Sequence, residues 1–205
     1  MDSFPIDFVI DKTAPTNQLA GVKSSTKQTV NDKSLIVDVY PEDAQTAVAK
    51  VEIRRWMGDT LGLSTPDATQ DPVQTITYAY YDQETNPKPA DTDTQKYEDL
   101  AIYTDESTDQ IKINYEITDN KNWQWVEVIT TDLAGNESTD IRAGSQDGTK
   151  GVSYSENRRG FLVTTNTFSQ VVNNMAARVG AGAAIVLILL FLILRKRKKD
   201  QANAA

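Results

Sequence analysis

The sequence predicts an all-β protein, a two-layer β-sandwich, followed by a single C-terminal transmembrane α-helix. Three observations predict it. Between roughly residues 16 and 165, apolar side chains recur with a period of two, the pattern of strands with one buried face. Clusters of Pro, Gly, Asn and Asp punctuate those runs, as turns require. Finally, the 16 uncharged residues Val179–Leu194 are followed at once by Arg195, Lys196, Arg197, Lys198 and Lys199, a hydrophobic run with a positive stop.

The strands follow in chain order. Leu35, Val37 and Val39 alternate with Ile36, Asp38 and Tyr40, and Val51 and Ile53 with Glu52 and Arg54. Ile76, Tyr78 and Tyr80 are spaced by Thr77 and Ala79. Ile111, Ile113, Tyr115 and Ile117 are spaced by Lys112, Asn114 and Glu116. Val126, Val128 and Thr130 alternate with Glu127, Ile129 and Thr131. Turns are expected at Pro41–Asp43, Met57–Asp59, Asp119–Asn122 and Ala134–Asn136. Gly160–Asn166 reads as the last strand of the module. Five to eight such strands suit a sandwich with Greek-key connections.

Past that strand the period changes. Phe168, Val171, Val172, Met175 and Val179 recur at helical spacing, with Asn166 or Thr167 placed to cap the start. Residues 166–178 are therefore expected to form a juxtamembrane helical stalk. The run 179–194 would make roughly 24 Å of helix, against a bilayer core of about 30 Å. Extension back to Met175 supplies the rest if Arg178 reaches the outer headgroups. The positive-inside rule places the tail 195–205 in the cytoplasm and everything before the span outside the cell membrane. The N-terminus carries no leader of its own, so the expectation is of a larger exported parent whose signal lies upstream.

Charge sharpens the picture. The tail holds five of the 21 basic residues, so residues 1–194 carry 16 basic against 28 acidic groups, a net −12. Such a body repels phosphates, which excludes nucleic acid as a partner. There are no cysteines and no histidines. That removes Cys nucleophiles, Ser–His–Asp triads and His-ligated zinc, and it suits bacterial export better than a disulfide-built eukaryotic ectodomain. Carboxylates are abundant, but none stands in a catalytic constellation, and no enzymatic activity is expected.

Two features carry candidate binding chemistry. Trp123 and Trp125 share one face of a strand, and in the register of Val126, Val128 and Thr130 both point away from the core. Trp56 alternates with Ile53 and falls on the outer side with Arg54. Exposed tryptophans stack on sugar rings or anchor a protein partner, which makes this face the candidate site for an extracellular glycan or host protein. A covering loop or the opposite register would make the same residues core, the commoner fate of large apolar side chains. The acidic loops invite calcium, yet the EF-hand-like start Asp91–Gln95 has Lys96 where Gly is needed and Ile102 where the bidentate Glu belongs. No cofactor is expected beyond a calcium ion held by separate loops, with Asp11 as one ligand. Solvated acidic loops are the plainer account.

Two motifs carry a resemblance. Asp11-Lys12-Thr13-Ala14-Pro15-Thr16 resembles the linker between consecutive bacterial immunoglobulin-like domains. Thr131-Asp132-Leu133-Ala134-Gly135-Asn136 resembles the turn after their penultimate strand. They stand about 120 residues apart in the family's order. The resemblance implies an immunoglobulin-like β-sandwich over 16–165, with an insertion at 58–105 in which Gln83–Asp99 is an extended loop. It also implies that residues 1–15 are the last strand of an upstream domain (Phe4–Ile10) plus a linker. The C-terminus is similar in layout to Gram-positive wall-anchored proteins, but Leu162–Asn166 lacks the Pro and Gly of a sortase motif, so a retained membrane anchor is expected. Proteins of this kind string such modules into rods, which implies a structural spacer of a bacterial surface protein, an adhesin among them. Ligand binding through the tryptophan face is the alternative.

Overall fold

The computed structural model describes residues 11–23, 27–63, 65–66, 69–119, 121–138, 158–173, 180 and 186–196. Among these residues ten strands, β1 (Thr16–Ala20), β2 (Lys27–Val30), β3 (Ser34–Glu42), β4 (Val48–Met57), β5 (Gln74–Ala79), β6 (Gln95–Asp99), β7 (Ile113–Thr118), β8 (Gln124–Asp132), β9 (Glu137–Ser138) and β10 (Arg159–Val163), precede the helix α1 (Thr167–Asn173). They form two sheets. The smaller has the order β1-β3-β7, and the larger β2-β10-β8-β4-β5-β6, with β9 pairing the end of β8. Neighbours are antiparallel except β2 with β10 and β5 with β6. The chain is thus mostly β and built as a sandwich.

The alternation read from the sequence is what closes the core. Val37 and Val39 on β3 and Ile113, Tyr115 and Ile117 on β7 face Val51 and Ile53 on β4, Val126 and Val128 on β8, and Phe161 and Val163 on β10. Of their intervening partners on the smaller sheet, Ile36 (55%), Asn114 and Glu116 are exposed, and Asp38 and Tyr40 are half-buried. At the sandwich edge, Thr130 Oγ1 donates to Asn17 Oδ1 at 2.6 Å, with both residues buried.

Gln83–Asp99 is not the continuous loop expected from its composition. Its last five residues are β6, whose pairing to β5 runs from Thr75↔Gln95 to Ala79↔Asp99. The sequence QKYED carries no apolar alternation, and each of its residues is half-buried. Backbone pairing at a sheet edge holds it there, and no hydrophobic face does.

The expected strand Phe4–Ile10 lies outside the described residues. Of the expected span 179–194, residue 180 and residues 186–194 are described. Residues 186–196 are helical, and the nine side chains from Val186 to Leu194 are 49–65% exposed. Arg195 and Lys196 close this segment; Arg197, Lys198 and Lys199 lie outside the described residues. Among the described residues, no helix is long and apolar enough to cross a membrane.

Candidate functional site

The chain enters and leaves the sandwich at opposite poles. Asp11 precedes β1, whose first residue Thr16 pairs with Glu42 at the end of β3. The exit lies at the start of β3: Asp119 N–H donates to Lys33 O at 2.9 Å, and Thr164 N–H donates to Val30 O at 3.0 Å. Asn166 then caps α1, its Oδ1 accepting from the amides of Phe168 and Ser169 at 3.0 and 3.2 Å.

At the entry pole, three loops far apart in sequence converge. Asp11, Asp43 from the β3–β4 turn and Asp132 from the end of β8 each offer a carboxylate oxygen within 4.8 Å of the others. Each is set by local hydrogen bonds. Asp11 Oδ1 accepts from Thr13 N–H at 2.8 Å, and its Oδ2 from Thr46 Oγ1 at 3.1 Å. Asp43 Oδ1 accepts from the amides of Gln45 and Thr46 at 2.9 and 2.7 Å. Asp132 Oδ1 and Oδ2 accept from the backbone and side-chain amides of Asn136, both at 2.8 Å. Asn136 Nδ2 also reaches Asp11 O at 3.3 Å, so the two motifs of the linker and the penultimate turn are physically joined.

Three carboxylates at this spacing repel one another unless a cation or proton intervenes. Burial pushes the Asp43 carboxyl up, but the Thr46 and Gln45 amides outweigh it and hold the group below the ordinary carboxylate range. Asp43 therefore stays ionised at neutral pH. Its Oδ2 is enclosed and has no hydrogen-bond partner among the described residues. Oxygen-only ligands gathered this closely are the donor set of a hard divalent cation such as calcium. Asp11 was the candidate ligand expected from its place in the linker, and the structure puts it in this cluster. Asp132 and Asn136 sat inside the second motif, while Asp43 read only as a turn residue.

The tryptophans do not form the exposed face that the register suggested. Trp56, Trp123 and Trp125 are 2%, 5% and 2% exposed. They do lie on the outer side of the larger sheet, with Trp56 directly opposite Trp125, so the register holds and the exposure does not. The cause is the connection from β4 to β5, which folds back over that side. Gly58 N–H donates to Trp123 O at 2.7 Å, and Trp123 N–H to Asp59 O at 3.1 Å. Trp56 Nε1 donates to Gln70 O at 2.7 Å, and Trp123 Nε1 to Asn173 Oδ1 on α1 at 3.0 Å. Lys27 Nζ lies 5.2 Å from the Trp125 ring centre, and the Arg158 guanidinium 3.7 Å from that of Trp56. The three indoles are a second core, closed to a stacking sugar or a protein partner.

No protein-family model matches this chain, and no curated protein matches it.

Proposed function

We propose that the chain is an extracellular spacer module of a bacterial surface protein of the adhesin type, held at the cell membrane by its C-terminal helix. The observation that carries this reading is the placement of entry and exit at opposite poles. The nine residues of β3 separate them by about 30 Å, so modules joined through such ends extend a chain and do not fold it back. The strand order favours an immunoglobulin-like sandwich. One sheet holds β1, β3 and β7, and the other groups β10, β8 and β4 with added strands β5 and β6, the division that variable-type immunoglobulin domains use. The parallel β5–β6 pair, and a smaller sheet of three strands where that pattern has four, depart from it among the described residues.

The anchor rests on the run Val179–Leu194, whose described part is a helix exposed on all sides. Nothing in a water-soluble domain stabilises nine consecutive apolar side chains in that state, whereas a bilayer does. The five basic residues after it would stop translocation and meet anionic lipids of the inner leaflet. At the opposite pole, a calcium ion on Asp11, Asp43 and Asp132 would clamp the incoming linker to the β3–β4 and β8–β9 turns. On this reading the module works mechanically and carries no catalysis.

The test is membrane topology in bacterial cells that produce the chain behind a cleavable export signal. We expect the protein to resist extraction by alkaline carbonate. Protease added outside should remove the sandwich yet spare an epitope fused after Ala205. A chain recovered in the soluble fraction, or a sandwich shielded from external protease, overturns the reading.

A further inference from the structure

A row of side chains crosses the outer side of the larger sheet, beside the buried indoles. Glu127 on β8 stands opposite Arg54 on β4. Arg54 stands opposite Thr75 on β5, and Thr75 opposite Gln95 on β6. Arg158, just ahead of β10, continues the Arg159↔Val126 register to the far flank of Glu127. These residues border a cavity of about 520 Å³, within the size range of small-molecule sites.

Glu127 is the anomaly in the row. It is 1% exposed, yet among the described residues its Oε1 has no hydrogen-bond partner. Both neighbouring guanidiniums are engaged elsewhere. Arg54 Nη2 turns along its own strand to Glu52 at 3.2 Å. Arg158 lies over Trp56 and donates to Pro66 O at 2.7 Å. A buried carboxylate oxygen without a donor is costly, and native proteins retain such groups where a ligand or water completes them.

We infer that this cavity binds a small neutral polyhydroxylated ligand, a single sugar residue, with Glu127 accepting from one hydroxyl and Arg54 donating to its neighbour. The lining selects the class. Arg54 and Arg158 are nearly balanced by Glu52, Asp71 and Glu127, so an anion or a cation would meet like charge at close range. A hydroxyl both donates and accepts and can therefore bridge adjacent carboxylate and guanidinium groups, with the amide of Gln95 and the hydroxyl of Thr75 beside them. The apolar part of the wall is broken up among polar groups, since Trp56 is already covered by Arg158 and Pro72 is the one aliphatic ring among the described lining residues. Recognition here would run through hydrogen bonds and would need no exposed indole. It is independent of the spacer reading, which stands or falls on topology.

The experiment uses the full chain in phosphatidylcholine nanodiscs, so that no glycoside detergent competes. Glucose, galactose, mannose and N-acetylglucosamine are titrated separately by saturation-transfer difference NMR. At least one should bind saturably. Glu127→Gln should weaken it by about tenfold or more, the effect of losing a charge-assisted hydrogen bond. Gln95→Ala, on the partly exposed strand β6, should weaken it less and leave the fold intact; it carries the test if Glu127→Gln does not fold. Saturable binding by none of the four sugars overturns the inference, as does binding that neither variant changes.

Discussion

Trp125→Ala separates a buried second core from an exposed binding face. Trp125 is 2% exposed and packs against Gly160, where an added Cβ would lie 3.1 Å from the ring, and beneath Lys27. A buried indole removes about 150–250 Å² from water, worth about 4–6 kcal/mol at ~25 cal/mol per Å². Part of the cavity would collapse, and Trp→Ala changes in cores cost about 3–5 kcal/mol. For a domain of this size that lowers Tm by about 6–20 °C. Urea unfolding followed by far-UV circular dichroism measures the loss directly. A surface tryptophan, by contrast, would cost within about 0.5 kcal/mol. A loss below about 1 kcal/mol would refute the packing argument. So would strong acrylamide quenching of the wild-type fluorescence, because all three tryptophans are enclosed.

Gly62→Ala should destabilise by about 2–5 kcal/mol in the same assay. Gly62 has φ +59°, and an added Cβ would lie 2.7 Å from the Trp123 ring, so left-handed strain and overpacking combine. An unchanged midpoint would mean that the β4–β5 connection does not cover Trp123. Calcium at about 10 mM should raise Tm by about 3–10 °C, if the entry pole binds with the ~0.1–1 mM affinity of extracellular calcium modules. Asp43→Asn should abolish that rise, and a wild-type Tm unaffected by calcium or by its chelation would sink the metal assignment. Burial pushes the Glu127 carboxyl above its ordinary value of 4.5, with Arg158 and Arg54 opposing. Its contribution to stability is therefore complete below that value and lost as pH rises through the folded-state pKa. Glu127→Gln should flatten the pH dependence of stability above pH 4.5, and an unaltered slope in the variant would contradict the shift.

The sandwich was legible because its signal is local. Val37 and Val39, Ile113 to Ile117, and Val126 and Val128 announce their buried face by period alone, since successive side chains on a strand point to opposite sides. β1, β2 and β6 carry no such alternation in TNQLA, KQTV and QKYED; their neighbours' backbones recruit them. The candidate sites divide in the same way. Asp11 stood out by its place in a linker motif, but Asp43 was one acidic turn residue among many. Glu127 looked like an ordinary outward strand residue between Val126 and Val128.

By itself the sequence determined the two-sheet core, the acidic body, the absence of thiol and imidazole side chains, and the apolar run followed by basic residues. Each of these depends on residue type and short-range spacing. Tertiary structure alone decided that the tryptophans are enclosed, that three aspartates separated by up to 121 positions share one pole, and that Glu127 Oε1, beside a cavity, has no donor among the described residues. Those outcomes depend on where the β4–β5 connection lies and on which strands become neighbours. Chain closure over many residues sets both, and no local pattern records it.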